Sequence, residues 1–275
     1  MKINVKQYVA ERKAELIKTI GALDRPPRIL IMQIGDNPAS NSYIKGKIKD
    51  CQEVGISADL FKFNDTAALL SFVSTTDVIK QYEGIILQEP SGLNPTERAY
   101  VMERIGKDRD IDGFIADSPF DPCTPKGIMN ILLNFYSENL RGETVCIIGR
   151  GELVGKPLAN MLIEKGATVI SCNSKTKNLE NLLAESDIVI TAAGCRNLLT
   201  ADMFPANKEV YIIDAGIDFD DEGKICGDCD KELYTHEKIF VTTVPGGVGL
   251  TTRVELLENA VIAAHRFKLK EEEDW

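Results

Sequence analysis

An α/β fold in two domains is predicted by the rhythm of the chain, its length and one break in that rhythm. Short apolar runs alternate throughout with segments of helical apolar spacing, as in a mostly parallel sheet with crossover helices. The 275 residues suit one large domain or two modest ones, at roughly 150 residues per domain. A polar stretch from Asn134 to Arg141 interrupts the alternation, placing one domain at residues 1–137 and the next from 138 to about 250.

Taken in order, Val5 to Ile20 has helical spacing and is stopped by Asp24-Arg25-Pro26-Pro27. Arg28 to Ile34 is an apolar run ending at Gly35-Asp36-Asn37-Pro38, as expected of a buried strand. Ala39 to Val54 reads as helix and ends at Gly55, and Asp59 to Phe63 suits a strand. A helix over Ala67 to Gln81 and a strand over Gly84 to Leu87 follow. Thr124-Pro125 has the form of an N-cap followed by proline in the first turn, which opens a helix before the break. Beyond Glu143, strands are expected at Thr144–Ile148, Ala167–Ile170, Ile188–Ile190 and Val210–Ile213, with a helix over Leu153–Lys165. A last helix covers Thr252 to Lys268, and the acidic tail Glu271 to Asp274 is expected to be solvated.

Composition narrows the function classes. With 32 basic and 42 acidic residues the formal net charge is −10, a field that repels nucleic acid. No apolar run approaches the roughly 20 residues of a membrane span. The opening Met1-Lys2-Ile3-Asn4-Val5-Lys6 lacks a signal-peptide pattern, so a soluble, cytoplasmic chain is expected. Seven scattered cysteines read as free thiols in a reducing compartment. Only Cys226 and Cys229 have a redox or metal-like spacing, and without a second pair or a nearby histidine that is a weak signal, coincidence being the better reading. His236 and His265 lie in polar stretches and read as surface imidazoles.

Chemistry concentrates at a few places. The Thr144–Ile148 strand runs into Gly149, Arg150, Gly151 and Gly155 before a helix, a spacing one residue longer than the usual dinucleotide fingerprint. Such glycines permit a tight turn and close approach of backbone to pyrophosphate at a helix N-terminus, although glycine turns also occur without a ligand. An NAD site usually places an acid about 20 residues on, but Ser171 to Lys177 has none. Arg150, Ser174, Lys175 and Lys177 could neutralise a ribose 2′-phosphate, so NADP is expected over NAD; the alternative is a solvated lysine loop. In the first half, Tyr43 and Lys47 lie four apart and share a helix face, while Lys45 and Lys49 point elsewhere. An aromatic ring beside an amine suits a flat ligand next to a proton-transfer group, and an ordinary surface lysine is the competing reading. Gln88 and Asp112 sit at strand ends, where α/β sites collect, or are plain turn residues. Val244-Pro245-Gly246-Gly247-Val248-Gly249 is a rigid, glycine-dense loop before the final helix.

These motifs recur in order in a known family. Tyr43 to Lys47, Gly84 to Gln88, Asp112-Gly113-Phe114, Pro122-Cys123-Thr124-Pro125-Lys126-Gly127, Gly149 to Pro157 and Val244 to Gly249 closely resemble the bifunctional methylenetetrahydrofolate dehydrogenase/methenyltetrahydrofolate cyclohydrolase family. The resemblance covers nearly the whole chain. It implies two α/β domains with a cleft between them, the second Rossmann-like, and a C-terminal helix over 251–275 packing back on the first. It also implies oxidation of 5,10-methylenetetrahydrofolate with NADP, then hydrolysis of the methenyl cation to 10-formyltetrahydrofolate, in one-carbon metabolism and purine biosynthesis. The resemblance gives Lys47 proton transfer, Gln88 a hydrogen bond to it, Tyr43 stacking on folate and Asp112 the pterin ring. Pro245, Gly246 and Gly247 would shape the folate side, and Gly149, Arg150, Gly151, Gly155, Ser174 and Lys175 the NADP site. A tetrahydrofolate substrate and a homodimer are implied, with no metal.

Several residues depart from the family pattern. Gly151 replaces a serine, Glu89 a leucine, Thr243 a proline, Leu250 the proline of Pro-Met-Thr, and Asn173 a frequent histidine. Glu89 places an acid near an anionic substrate. These departures leave room for a dehydrogenase with weak or absent cyclohydrolase activity. A third reading is a nucleotide-binding redox regulator switched by Cys226 and Cys229. If both ligands bind, Lys47, Arg150, Lys156, Lys175 and Lys177 should make a basic site on an acidic body.

Overall fold

The computed structural model describes residues 1–273, apart from the side chains at 39 and 270–273, so the backbone of 271–273 is helix while the expected solvation of the acidic tail lies outside the described residues. In chain order the elements are β1 (Lys2–Ile3), α1 (Lys6–Gly21), β2 (Arg28–Ile34), α2 (Pro38–Val54), β3 (Ser57–Phe63), α3 (Thr66–Thr75) and β4 (Gly84–Leu87). Next come α4 (Pro95–Ile105), α5 (Cys123–Phe135), β5 (Thr144–Ile148), α6 (Gly155–Glu164), β6 (Thr168–Cys172), α7 (Leu179–Glu185) and β7 (Ile188–Thr191). The last are β8 (Val210–Asp214), β9 (Asp218–Phe219), β10 (Ile225–Cys226), β11 (Ile239–Thr242) and α8 (Val248–Glu273). Two compact units divide the chain: Met1–Ala10 with Thr124–Thr252, and Glu11–Cys123 with the residues from Arg253 onward. Among the described residues, no helix is long and apolar enough to cross a membrane.

The unit from Glu11 has a three-stranded parallel sheet in the order β3-β2-β4. Alternation along β2 sends Ile29 and Ile31 to one face, packed with Leu16, Ile44, Val54, Leu256 and Leu257. Leu30 and Met32 go to the other, against Leu69, Val73, Val101 and Ile105. Each such side chain contributes about 1.5–3 kcal/mol when fully buried. The helix expected over 67–81 is broken in two. The α3 helix ends at Thr75, Thr76 turns extended, and the Thr76 hydroxyl accepts the Val78 amide to start a 3-10 turn. The α4 helix has a legible signal: Asn94 and Glu97 form a capping box around Pro95.

The other unit carries a six-stranded parallel sheet, ordered β1-β11-β8-β7-β5-β6. Its inner strands are buried on both faces, which explains their continuous runs of β-branched residues. The order reverses at β5, because β6 returns to one side of it and β7 to the other. Ligands of such sheets bind beyond the strand ends at that reversal. Thr124 does not cap the helix before this unit's sheet, since α5 starts at Cys123 and encloses it.

Candidate active site

The unit from Glu11 gathers four of the expected residues through α2, β4 and the segment after α4. Tyr43 and Lys47 face the same way from α2, with Lys47 Nζ 5.2 Å from the Tyr43 ring centroid. Lys47 is 4% exposed, whereas Lys45 and Lys49 are exposed, as the helical spacing requires. Lys47 Nζ lies 3.7 Å from Asp112 Oδ2, a loose ion pair across 65 residues of sequence. Burial pushes the Asp112 carboxyl above its ordinary range; Lys47 opposes this and Glu89 adds to it.

Gln88 extends the ladder beyond β4, its amide N–H donating to the Met32 carbonyl at 2.9 Å. It makes no hydrogen bond to Lys47. Its side-chain nitrogen donates instead to the Glu89 carbonyl at 2.8 Å, and Gln88 Oε1 is buried with no partner among the described residues. An orphaned buried acceptor is costly in a resting protein and marks a place for a ligand or water.

The segment carrying Asp112 is held by residues that sequence reasoning passed over. Asp110 bridges to Ile85 beside β4 and accepts the Phe114 and Ile115 amides, both at 2.6 Å. Burial, aided by Asp112, raises the Asp110 carboxyl to about 6. Gly113 has φ +75°, and a Cβ there would lie 2.7 Å from the Asp121 backbone. Asn259 on α8 donates to the Ile111 carbonyl at 2.9 Å. The alternation of two aspartates around Ile111 hinted at Asp110, but nothing local pointed to Asn259.

In the other unit, the turn after β5 is built almost wholly of backbone. Gly149 has φ +122°, and a Cβ on it would sit 2.4 Å from the Ala192 carbonyl oxygen. A Cβ on Gly155 would sit 2.0 Å from the Gly149 oxygen. Gly151 faces open space, so sterics do not explain the replacement of serine there. The α6 helix starts with no side-chain cap, but the Lys156 amide donates to the Gly151 carbonyl at 3.1 Å and Pro157 has no N–H, so its first turn offers an anion the Gly155 amide alone. Arg150 folds over β6, with Nε donating to Ser171 Oγ at 3.2 Å and Nη2 to the Ser171 carbonyl. Ser174, Lys175 and Lys177 are exposed on the loop beyond β6, where the Lys175 amide donates to Asn173 Oδ1. Lys156 is paired with Glu152, so it adds little net charge. A glycine cradle at a helix start and exposed cations without an acid fit a dinucleotide bearing an extra phosphate.

Two buried carboxylates missed in the sequence shape the neighbouring loops. Asp228 accepts from Thr191 Oγ1 at 2.5 Å and from the Ala193 and Cys195 amides, fixing the loop after β7. Asp214 accepts from the amides of Gly216, Asp228 and Cys229. Burial raises the Asp214 carboxyl, while those amides pull it back. Each carboxylate covers a glycine of the other's loop: a Cβ on Gly216 or Gly227 would meet it at 2.1 Å. Pro245 and Cys226 share the lining of a cavity of about 580 Å³ with Arg196, Lys224 and Tyr234. Gly246 takes φ +109°, and the Pro245 carbonyl accepts from Thr243 Oγ1 at 3.0 Å. Burial raises the Cys226 and Cys229 thiols, which lowers their reactivity.

Residues 3–112 match the model of the tetrahydrofolate dehydrogenase/cyclohydrolase catalytic domain, and residues 122–268 that family's NAD(P)-binding domain. A relative named bifunctional protein FolD, from Bacillus subtilis, is 34% identical over 279 residues, covering 96% of this chain and 97% of its own. The protein of that name from Nitrosomonas europaea is 38% identical over 271 residues, 94% of this chain and 90% of its own. The crystal structure of the FolD enzyme from Campylobacter jejuni superposes with a TM-score of 0.86 at 35% identity, covering 97% of this chain and 99% of that one. That of the bifunctional enzyme from Thermoplasma acidophilum gives 0.83 at 30% identity, over 98% and 99%. With both domain models and full-length relatives agreeing with the geometry, the chain belongs to the tetrahydrofolate dehydrogenase/cyclohydrolase family.

Proposed function

We propose that this protein oxidises 5,10-methylenetetrahydrofolate to the methenyl cation with NADP and hydrolyses that cation to 10-formyltetrahydrofolate. The observation that carries the reading is Lys47, buried on α2 between the Tyr43 ring and the Asp112 carboxylate. NADP, when bound, supplies the acceptor for the hydride leaving the methylene carbon. That step leaves a cation stabilised by the adjacent nitrogen, so the protein's task there is positioning rather than strong-base catalysis. Tyr43 offers a flat face for the pterin, and Asp112 accepts from its N–H groups. Hydrolysis differs, because the water that adds to the cation must lose a proton. Lys47 Nζ relays that proton, and Gln88 Oε1, buried with no partner among the described residues, is an acceptor available to the water or the substrate.

On this reading the 11–123 unit is the folate-binding, catalytic part and the 124–252 unit the nucleotide-binding part, with substrate contact from Pro245, Gly246 and Gly247. Gly149, Gly151 and Gly155 would admit the pyrophosphate, and Arg150, Ser174 and Lys175 would hold the 2′-phosphate. The acid-free loop beyond β6 supports NADP over NAD. A homodimer through the nucleotide-binding unit is supported by β6, an edge strand with one partner. Seven free cysteines support a reducing, cytoplasmic setting.

The test is a spectrophotometric assay of the purified protein with methylenetetrahydrofolate and either nicotinamide cofactor, followed by product identification. Reduced cofactor formed faster with NADP, with 10-formyltetrahydrofolate accumulating, is expected. No reduction of either cofactor would refute the reading.

A further inference from the structure

The segment after Gln88 carries a charge pair that none of these roles uses. Glu89 Oε1 accepts from Arg98 Nε at 2.9 Å, while Oε2 accepts from the Ser91 amide at 2.7 Å and the Ser91 hydroxyl at 2.9 Å. The Arg98 and Glu89 side chains are only 30% and 22% exposed, so removing one partner leaves a poorly solvated charge. Arg98 rises from α4, and its guanidinium lies 5.6 Å from the centroid of the Phe114 ring, two residues beyond Asp112. Among the described residues Arg98 Nη2 is buried with no hydrogen bond, while Glu89 and the Phe114 ring contact the guanidinium.

The pair connects directly to Gln88. Through Glu89 it closes the turn over Pro90 and Ser91, and the Glu89 carbonyl in that turn accepts the Gln88 side-chain nitrogen. Gln88 is thereby left with its oxygen unpaired. Glu89 is also near enough to Asp112 to reinforce the upward push on that carboxyl, so an uncompensated Glu89 would disturb the Lys47–Asp112 pair as well.

We propose that the Glu89–Arg98 ion pair is a positioning device for hydrolysis: it locks Gln88 with its amide oxygen free to accept, and it cancels a carboxylate placed beside Asp112. Glu89 stands where the family pattern has leucine, so Arg98 is the compensation that lets this chain carry an acid there. The inference rests on the assignment of Lys47 and Gln88 to the hydrolytic step.

A double-mutant cycle on the full-length enzyme tests it, with both activities measured for each variant. Arg98→Leu should lower cyclohydrolase kcat about tenfold and dehydrogenase kcat less than about threefold, since only hydrolysis needs Gln88 in place. The double variant Glu89→Leu with Arg98→Leu keeps the backbone carbonyl and removes both charges. Glu89→Leu alone and the double variant both lose the turn that seats Gln88 but leave no bare carboxylate, so each should hydrolyse about threefold more slowly than the parent, yet faster than Arg98→Leu. Arg98→Lys, which keeps the charge and the fold if Arg98→Leu does not, should fall between them. Equal losses in both activities, or losses that simply add in the double variant, would overturn the proposal. Lys47→Ala, run alongside, separates the two levels: if it hydrolyses normally, the underlying assignment is wrong. If it does not and the cycle is additive, only the positioning role is wrong.

Discussion

The candidate sites of the two units solve opposite problems with different materials. On α2 and the strand ends of the 11–123 unit, charged side chains are buried: Lys47 at 4% exposure against Asp112, and Asp110 nearby in sequence, with Glu89 and Arg98 partly buried. Around the β5 turn of the other unit the working groups are glycines and exposed cations. The difference teaches where each kind of chemistry can be done. Moving a proton requires groups removed from water, whose charges are strongly coupled. Holding a polyanion requires close backbone approach and cations that can stay hydrated until it arrives.

Removing the amine is the sharpest way to break that contrast. Lys47→Ala should cut cyclohydrolase activity by about 10²–10⁴-fold while leaving much of the dehydrogenase activity, measured by formyl product and reduced cofactor respectively. If both activities fall equally, the buried side of the comparison is structural rather than chemical.

On the backbone side, the sensitive change is an added methyl. Gly155→Ala forces a Cβ toward the Gly149 carbonyl oxygen at 2.0 Å, which backbone cannot yield cheaply. We expect a loss of about 1–3 kcal/mol of stability and weakened NADPH binding, read by thermal melts and fluorescence titration. Gly151→Ser meets open space and should be tolerated by both measures.

Acid titration probes the buried charges directly. Asp110 is raised to about 6 in the folded protein, against an unfolded value of about 3.9. Its favourable contribution is therefore complete below pH about 4 and is lost as pH rises to about 6, with Asp112 acting in the same direction. Asp110→Asn removes that titration and can still accept through its amide oxygen. Relative to the parent it should gain up to about 2 kcal/mol between pH 4 and 7, measured by urea unfolding.

The smallest effect is expected at an exposed cation. Arg150→Ala should raise the NADP KM about tenfold and leave the NAD KM nearly unchanged, because only NADP carries the 2′-phosphate. Equal shifts for both cofactors would mean that Arg150 serves the loop through Ser171 and not the phosphate.

Much of this was legible before any tertiary contact was known. Arg28–Ile34, Gly84–Leu87 and Thr144–Ile148 appear with the expected limits, because apolar runs closed by turn residues are local signals. The shared face of Tyr43 and Lys47 is likewise local, a consequence of 3.6 residues per turn. Local spacing also misled: Thr124 looked like a cap, and residues 67–81 looked like one helix until Thr76 broke it. Nothing in the sequence showed Lys2–Ile3 joining as a sixth strand, Asp112 facing Lys47, Asn259 bracing Ile111 or Arg98 neutralising Glu89. Periodicity, glycine turns and the absence of an acid after β6 were thus properties of the sequence itself. Which buried charges meet was decided only by the packed fold, since those pairs depend on helices and strand ends brought together from distant parts of the chain.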